Sequence, residues 1–392
     1  MNRIMLEEKL RLRIPENRWI RRKLTDFQGW RYDRVYLSPE DVRRAFANPE
    51  KQRELLRQWE RSQPRAAGEM NRVIASIREV NPEFAEKTDD EGFLERMKYA
   101  FCAYGFLPYE YYNFGLFSGT EEDYGRFISN KERSDISYRL NDLKAMAHFN
   151  DKWLTYQAFR PYYRRECAVV EKKRDYPGFR AFAAAHPVFF AKQVYGFGGH
   201  GTERVDLSSC PERIPEVFRE IRRKGKHIVE EPVRQSAKLA EFNESSVNTV
   251  RFITILTKHG PGTAACFFRT GRAGACVDNA ASGGIFAAVD AETGAVTTAA
   301  VDEWSRRYEK HPDSGIAFRG YRLPDWEQLV RLCGEASIRA GELGCLNIGW
   351  DLAHTEEHGW VIVEGNAGAQ LGEQNATREG LRERIAPLLA DV

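Results

Sequence analysis

The sequence predicts an α+β protein with a helical amino-terminal region, and three observations lead there. Helix-start signals and 3.6-residue apolar spacing fill the chain to about Ser118, with no βαβ alternation. From Ala168 onward, short β-branched and aromatic runs alternate with helices. From Val247 strands dominate, separated by Gly-rich turns. At 392 residues the chain is long enough for two or three domains and a large core.

The elements follow in order. Ser38-Pro39-Glu40-Asp41 has the form of a helix start, with Ser38 as N-cap and Pro39 in the first turn. Asn48-Pro49-Glu50 opens the next helix, which runs to about Arg61; another spans Ala67 to Val80, and Phe93–Tyr104 is amphipathic. The aromatic run from Phe106 to Phe114 is read as core packing that fixes this region to the rest. Phe127–Tyr163 reads as helix, loop, helix. Pro187–Lys192 and His227–Val229 read as strands around a helix at Cys210–Lys224. Val247–Thr257, Thr263–Arg269 and Ile285–Asp290 are strands, Trp326–Ala340 a helix, and Arg378–Leu389 a closing helix. There are no repeats and no low-complexity tract.

Composition narrows the function. Net charge is +2, so nothing demands a nucleic-acid partner. Residues 1–75 hold 18 Lys/Arg against 11 Asp/Glu, a local excess that is either a solvated helical face or a surface for a peripheral or protein partner. The seven cysteines are scattered without zinc-site or redox spacing, so free thiols in a reducing cytoplasm are expected. No secretory signal or transmembrane segment is expected, because Met1–Lys23 lacks an apolar core and no run approaches a membrane span.

Two stretches carry chemistry. Lys192 ends a strand and is followed by Gly196-Phe197-Gly198-Gly199-His200-Gly201. The spacing matches a dinucleotide-binding loop, but Thr202–Leu207 looks like a second strand where that motif needs a helix. What remains is strand, glycine loop, strand, which is either a plain hairpin or a cover for a triphosphate that donates backbone N–H groups. Later, Gly349–His354 and Trp360–Asn366 flank a polar turn and read as a β-hairpin. Pairing them symmetrically about the turn sets Asp351 opposite Glu364, with Asn366 on the same face. Two carboxylates and an amide oxygen that close together suit a hard cation such as Mg²⁺.

Strand lysine, glycine flap, acidic hinge strand, late Asp and Glu-x-Asn together resemble the ATP-grasp superfamily. The closer resemblance is to its sugar-transfer-associated branch, which is similar to glutamate-ligase-like enzymes. It is carried by Ser246–Arg251, Val277-Asp278-Asn279 with Ser282-Gly283-Gly284, His311–Gly315, Gly349-Trp350-Asp351 and Glu364-Gly365-Asn366, between roughly Tyr104 and Gln374. It implies two α+β subdomains gripping ATP: residues 119–230 with the flap and 231–392 with the metal site, after a helical region at 1–118. The implied chemistry is ADP-forming ligation. A carboxylate attacks the γ-phosphate, and an amine or thiol displaces phosphate from the acyl phosphate.

By that resemblance Lys152 and Lys192 contact nucleotide, and Gly198, Gly199, His200 and Gly201 form the flap. His200 either touches phosphate or faces solvent. Glu230 would accept from the adenine amino group, with the backbone of Glu231 and Val233 at the ring edge. Asp351, Glu364 and Asn366 would hold Mg²⁺. Arg251, close to Asn248, would serve the γ-phosphate or acyl phosphate, or be a structural ion pair; with Lys192 these form the expected catalytic set. Arg269 and Arg272 could hold an anionic substrate. Asp278, Asn279, Ser282 and Gly283 look like an acceptor-side loop, and His311 and Asp313 either line that pocket or order a turn. Two departures stand out: the amino-terminal region is helical where many members are Rossmann-like, and Gly349 stands where several members have arginine. The expected substrates are a small-molecule carboxylate and a nucleophile, in surface-polysaccharide, sugar-conjugate or secondary-metabolite synthesis. The alternatives are a kinase that stops at phosphoryl transfer and a non-catalytic nucleotide-binding module.

Overall fold

The computed structural model describes residues 3–392 apart from 118–119, 197–200, 273, 276–277 and 279. Helices fill the amino-terminal region as expected. Ser38 and Asn48 accept from the N–H groups of Asp41 and Lys51, and Pro39 and Pro49 follow them in the first turn. The cap residues Ser129, Asp142 and Asp151 split the expected helix-loop-helix into three helices, Asn130–Leu140, Leu143–Asn150 and Lys152–Tyr163. The aromatic run is core. Phe106, Tyr111 and Phe114 are buried, and Phe114 stacks on Phe127 with ring centroids 4.4 Å apart.

Among the described residues, eleven strands form two antiparallel sheets. Strands β1 (Cys167–Val170), β2 (Val188–Gln193), β3 (Thr202–Asp206) and β4 (His227–Glu230) make a four-stranded sheet in the order β1-β4-β2-β3. Helices Tyr176–Ala185 and Ile214–Arg223 cover it through Phe179, Phe182 and Phe218. The remaining strands are β5 (Thr249–Thr257), β6 (Gly260–Thr270), β7 (Ile285–Ala288), β8 (Ala300–Val301), β9 (Arg307–Tyr308), β10 (Asn347–Thr355) and β11 (Gly359–Asn366). They make a seven-stranded sheet in the order β11-β10-β5-β6-β7-β8-β9. Helix Trp326–Glu342 packs Leu329, Cys333 and Ala336 into its main core, while Ile385 of helix Arg382–Ala390 joins Ile253, Ile255 and Phe267 in a second cluster. The fold class is thus the expected one: α+β, with a helical region ahead of two sheet-based units.

The closing helix begins later than expected. A short helix, Glu373–Thr377, ends at Arg378 with φ +61°, and the closing helix starts only at Arg382. Gly380 lies against the Arg126 carbonyl, where an added Cβ would come within 2.0 Å, so only glycine lets the backbone approach there. The six described cysteines are free. Among the described residues, no helix is long and apolar enough to cross a membrane.

Candidate nucleotide and metal site

The carboxyl hairpin is built with a correction. Near its turn, Leu352 pairs with Ile362, a register that would place Asp351 opposite Val363. A bulge at Val363 adds one residue to β11, and beyond it Asp351 faces Glu364 and Gly349 faces Asn366. The expected pairing therefore exists, but an irregularity produces it and not symmetry about the turn. The bulge carbonyls need donors. Arg165 supplies them, with Nη1 on the Ile362 carbonyl at 2.7 Å and Nη2 on that of Val363 at 3.2 Å.

Asp351 lies beside Arg251 across the β10–β5 ladder, and Arg251 beside Phe267 across β5–β6. This lateral register lines up Glu364, Asp351 and Arg251. Arg251 grips Asp351 with both Nε and Nη2, the latter at 2.8 Å, and Arg269 adds Nη1 at 3.1 Å. The other arm of Arg269 holds Asp278 at 2.7 Å, and Asp278 also accepts from Thr249. Burial pushes the Asp351 carboxyl up, but the two guanidiniums outweigh it and hold the group below the usual range. For Asp278, burial wins over Arg269 and the group sits above the usual range.

Gly349 explains one departure. An added Cβ would lie 2.4 Å from the Ala369 Cβ and 3.0 Å from the Arg251 Cδ. No arginine fits at 349, and the guanidinium beside Asp351 comes from the neighbouring strand instead.

A helix and a strand of the four-stranded sheet bring two lysines. Asp151 caps helix Lys152–Tyr163, so Lys152 sits at its first position. Its ammonium lies 3.1 Å from Glu364 and donates to the Gly196 carbonyl, 2.5 Å away, where the glycine loop begins. Lys192 near the end of β2 pairs with Glu230 at the end of β4. Lys152, Lys192, Glu230 and Glu364 line one cleft, together with Phe149, Tyr163, Ile228 and Val363. Glu230 is not a free acceptor. It is 5% exposed, and Arg165 also grips it at 2.8 and 2.9 Å. Burial alone would raise its carboxyl, but Lys192 and Arg165 lower it to about 2. Arg165 thus ties the hairpin bulge to the β4 carboxylate. A lone arginine in a charged stretch gave no sign of this.

Other expected residues are placed differently. Asn248 is fully buried, and its amide bonds to Gln235, Leu239 and Asn243, so it braces a loop and does not reach the cleft. His311 orders a turn: it bonds the Gly271 carbonyl at 2.9 Å and accepts from the N–H groups of Asp313 and Ser314. Arg272 pairs with Asp313 at 2.8 Å, apart from the charge row. The Glu231 N–H is committed to the Glu166 carbonyl at 3.0 Å, whereas Val233 lies in the irregular segment after β4. Ser282 and Gly283 are exposed in the segment before β7. Gly201 takes a left-handed turn with φ +76° directly before β3. Gly198, Gly199, His200 and Asn279 lie outside the described residues.

The donor set of Asp351, Glu364 and Asn366 suits a hard divalent cation in chemistry and in sharing one face. The negative charges are balanced here by Arg251, Arg269 and Lys152.

Residues 216–388 match the model of the family described as sugar-transfer associated ATP-grasp. No curated protein matches the chain. Among solved structures, the chain is similar to the ATP-grasp ligase PsnB complexed with minimal precursor, at 13% identity over 71% of this chain and 73% of that one, with a TM-score of 0.39. D-alanyl-alanine synthetase A from Vibrio cholerae matches at 10% identity over 64% and 67%, with a TM-score of 0.39. N5-carboxyaminoimidazole synthase from Aspergillus clavatus, in complex with ADP and 5-aminoimidazole ribonucleotide, matches at 10% over 62% of this chain, with a TM-score of 0.35. The chain spans about half the length of that last protein, 51%.

Proposed function

The chain carries a sugar-transfer associated ATP-grasp region over residues 216–388, and from that premise we propose that it is an ATP-dependent, ADP-forming ligase that joins a carboxylate to an amine or thiol. One observation carries the reading. Lys152, Lys192, Arg251 and Arg269 each hold a carboxylate of this chain at the cleft or the charge row beside it. A triphosphate carries more negative charge than the carboxylates it would displace, and the freed Asp351 and Glu364 would then be compensated by a divalent cation.

In the proposed reaction the substrate carboxylate oxygen attacks the γ-phosphorus. The bond from that phosphorus to the β–γ bridging oxygen breaks, and ADP leaves. The nucleophile then adds to the acyl carbon, the carbon–oxygen bond to phosphate breaks, and the nucleophile loses its proton. Arg251 and Arg269 sit where negative charge accumulates, and their work is orientation and charge stabilisation. Asp351, Glu364 and Asn366 would hold Mg²⁺, which when bound supplies screening of the phosphates. Dependence on ATP and reduced thiols fits a cytoplasmic setting, and the family description fits substrates from surface-polysaccharide or sugar-conjugate synthesis.

The test is ATP consumption with Mg²⁺ across a panel of carboxylic acids, with hydroxylamine as nucleophile. ADP, phosphate and a hydroxamate are expected. A phosphorylated product without free phosphate would make the protein a kinase, and AMP with pyrophosphate would contradict the reading.

A further inference from the structure

A pocket of about 250 Å³ adjoins Arg251 and Arg269. One wall is the sheet, through Phe267 and Phe286. The opposite wall is helical: Tyr109, Glu110 and Asn113 of helix Pro108–Asn113. Asp302 and Glu303, in the loop after β8, complete that side. The helical wall is anchored there, because Asn81 donates to the Trp304 carbonyl at 2.9 Å and Asn113 to Asn375 at 3.3 Å.

The pocket differs from the cleft in how its charges are met. Asp302 is spent on its own loop, accepting from the N–H groups of Trp304 and Arg306, the Arg306 side chain and the Tyr308 hydroxyl. Glu303 beside it is half-buried and has no hydrogen-bond or ion-pair partner among the described residues. Glu110 is 8% exposed; it accepts only from the backbone N–H groups of Leu107 and Asn130, and feels Arg133 without pairing to it. Asn113 is 2% exposed, and its Oδ1 is buried without a partner. Arg133, close enough to Glu110 to act on it, has no carboxylate ion-pair partner among the described residues. Its Nη atoms rest on the Gly368 carbonyl, Asn130 and Ser134, and its Nε is buried and unmet.

Buried polar groups nearly always have partners, and unmet ones are costly. Here an unpaired acid and an unmet amide oxygen call for a cationic N–H donor, while an unpaired guanidinium calls for an anion. Resting on the ligase reading above, we propose that this pocket receives the carboxylate substrate and that the substrate is a zwitterion, an amino acid or aminoalkanoic acid. Its carboxylate lies toward Arg133, Arg251 and Arg269. Its ammonium meets Glu303, Glu110 and Asn113, and its apolar body rests on Phe267 and Phe286. The helical region is then half of the substrate site and not a separate docking arm.

The test measures binding by calorimetry on the full chain at neutral pH, with matched pairs: 4-aminobutyrate and butyrate, 6-aminohexanoate and hexanoate, phenylalanine and 3-phenylpropanoate. A charged hydrogen bond predicts at least one amino compound binding about tenfold or more tighter than its partner. Glu303→Gln should bring that ratio close to one without changing affinity for the des-amino compound; Glu303 makes no internal bond, so the variant should fold. Arg133→Gln should weaken both members of a pair, with the melting temperature confirming the fold. Binding by no compound, equal binding within every pair, or an unchanged ratio in Glu303→Gln overturns the proposal. Binding is read without turnover, so the two readings fail separately. A zwitterion that binds but yields neither ADP nor hydroxamate sinks the ligase, and hydroxamates formed from des-amino acids alone sink the zwitterion.

Discussion

The cleft between the two sheets and the pocket under the helical region sit on either side of Arg251 and Arg269, yet they handle charge in opposite ways. In the cleft, Lys152, Lys192, Glu230 and Glu364 are all paired internally. In the pocket, Glu303 and Arg133 have no ion-pair partner among the described residues. A site whose ions are already paired is stable while empty and accepts any ligand that can take over the pairs. A site with unmet ions is completed only by a ligand carrying the complementary set. Generic phosphate binding and selective substrate recognition are thus written in two different electrostatic styles.

The sharpest way to break the cleft is Glu364→Ala. Among the described residues only Lys152 pairs with Glu364, so the melting curve should barely change, while ADP release should fall about a hundredfold to a thousandfold. Activity retained in that variant would remove Glu364 from the site. Next is Arg165→Ala, which leaves Glu230 to Lys192 alone and the bulge carbonyls without the donors Arg165 supplies. Urea denaturation should show a loss of about 1–3 kcal/mol for each carbonyl left unmet.

Acid–base titration of stability separates the two regions by sign. The Glu230 carboxyl falls from 4.5 to about 2 on folding, so its contribution is present above pH 4.5 and is lost as pH falls toward 2. Burial raises the Glu110 carboxyl from 4.5 to about 7, against the pull of the backbone N–H groups of Leu107 and Asn130 and of Arg133. Its contribution is present below pH 4.5 and is lost as pH rises through 7. Each slope is on the order of 3 kcal/mol across its window. Glu110→Gln should flatten only the neutral limb and Glu230→Gln only the acid limb; a variant that moved the other limb would refute the assignment. The smallest effect is at Asn81, whose Oδ1 caps helix Pro82–Asp89 while its Nδ2 holds Trp304. Asn81→Ser keeps a cap and loses only the second bond, so chemical denaturation should show about 1 kcal/mol or less, and KM for the acid substrate should rise with kcat unchanged.

What was legible in the sequence was local. The caps at Ser38 and Asn48, the strand ending in Lys192 and the hairpin bearing Asp351 and Glu364 each declare themselves within a few residues. The bulge at Val363 and the role of Arg165 did not, because both depend on partners distant in sequence. The same holds for Glu303 and Asn113, which the fold brings together from segments far apart in the chain. Asn248 was expected in the catalytic set from its place beside Arg251 in the family-like stretch; its amide nitrogen instead bonds Gln235, Leu239 and Asn243.

Gly349 and Arg251 have a consequence for how related chains vary. The backbone at 349 and the stem of Arg251 share one volume beside Asp351, and Ala369 closes it from another side. An arginine at 349 with a smaller side chain at 251 and glycine at 369 would approach the same aspartate from the other strand. Drift at these positions should therefore be coupled: a lineage that changes 349 alone passes through a collision, and one that changes 251 alone leaves the aspartate to Arg269.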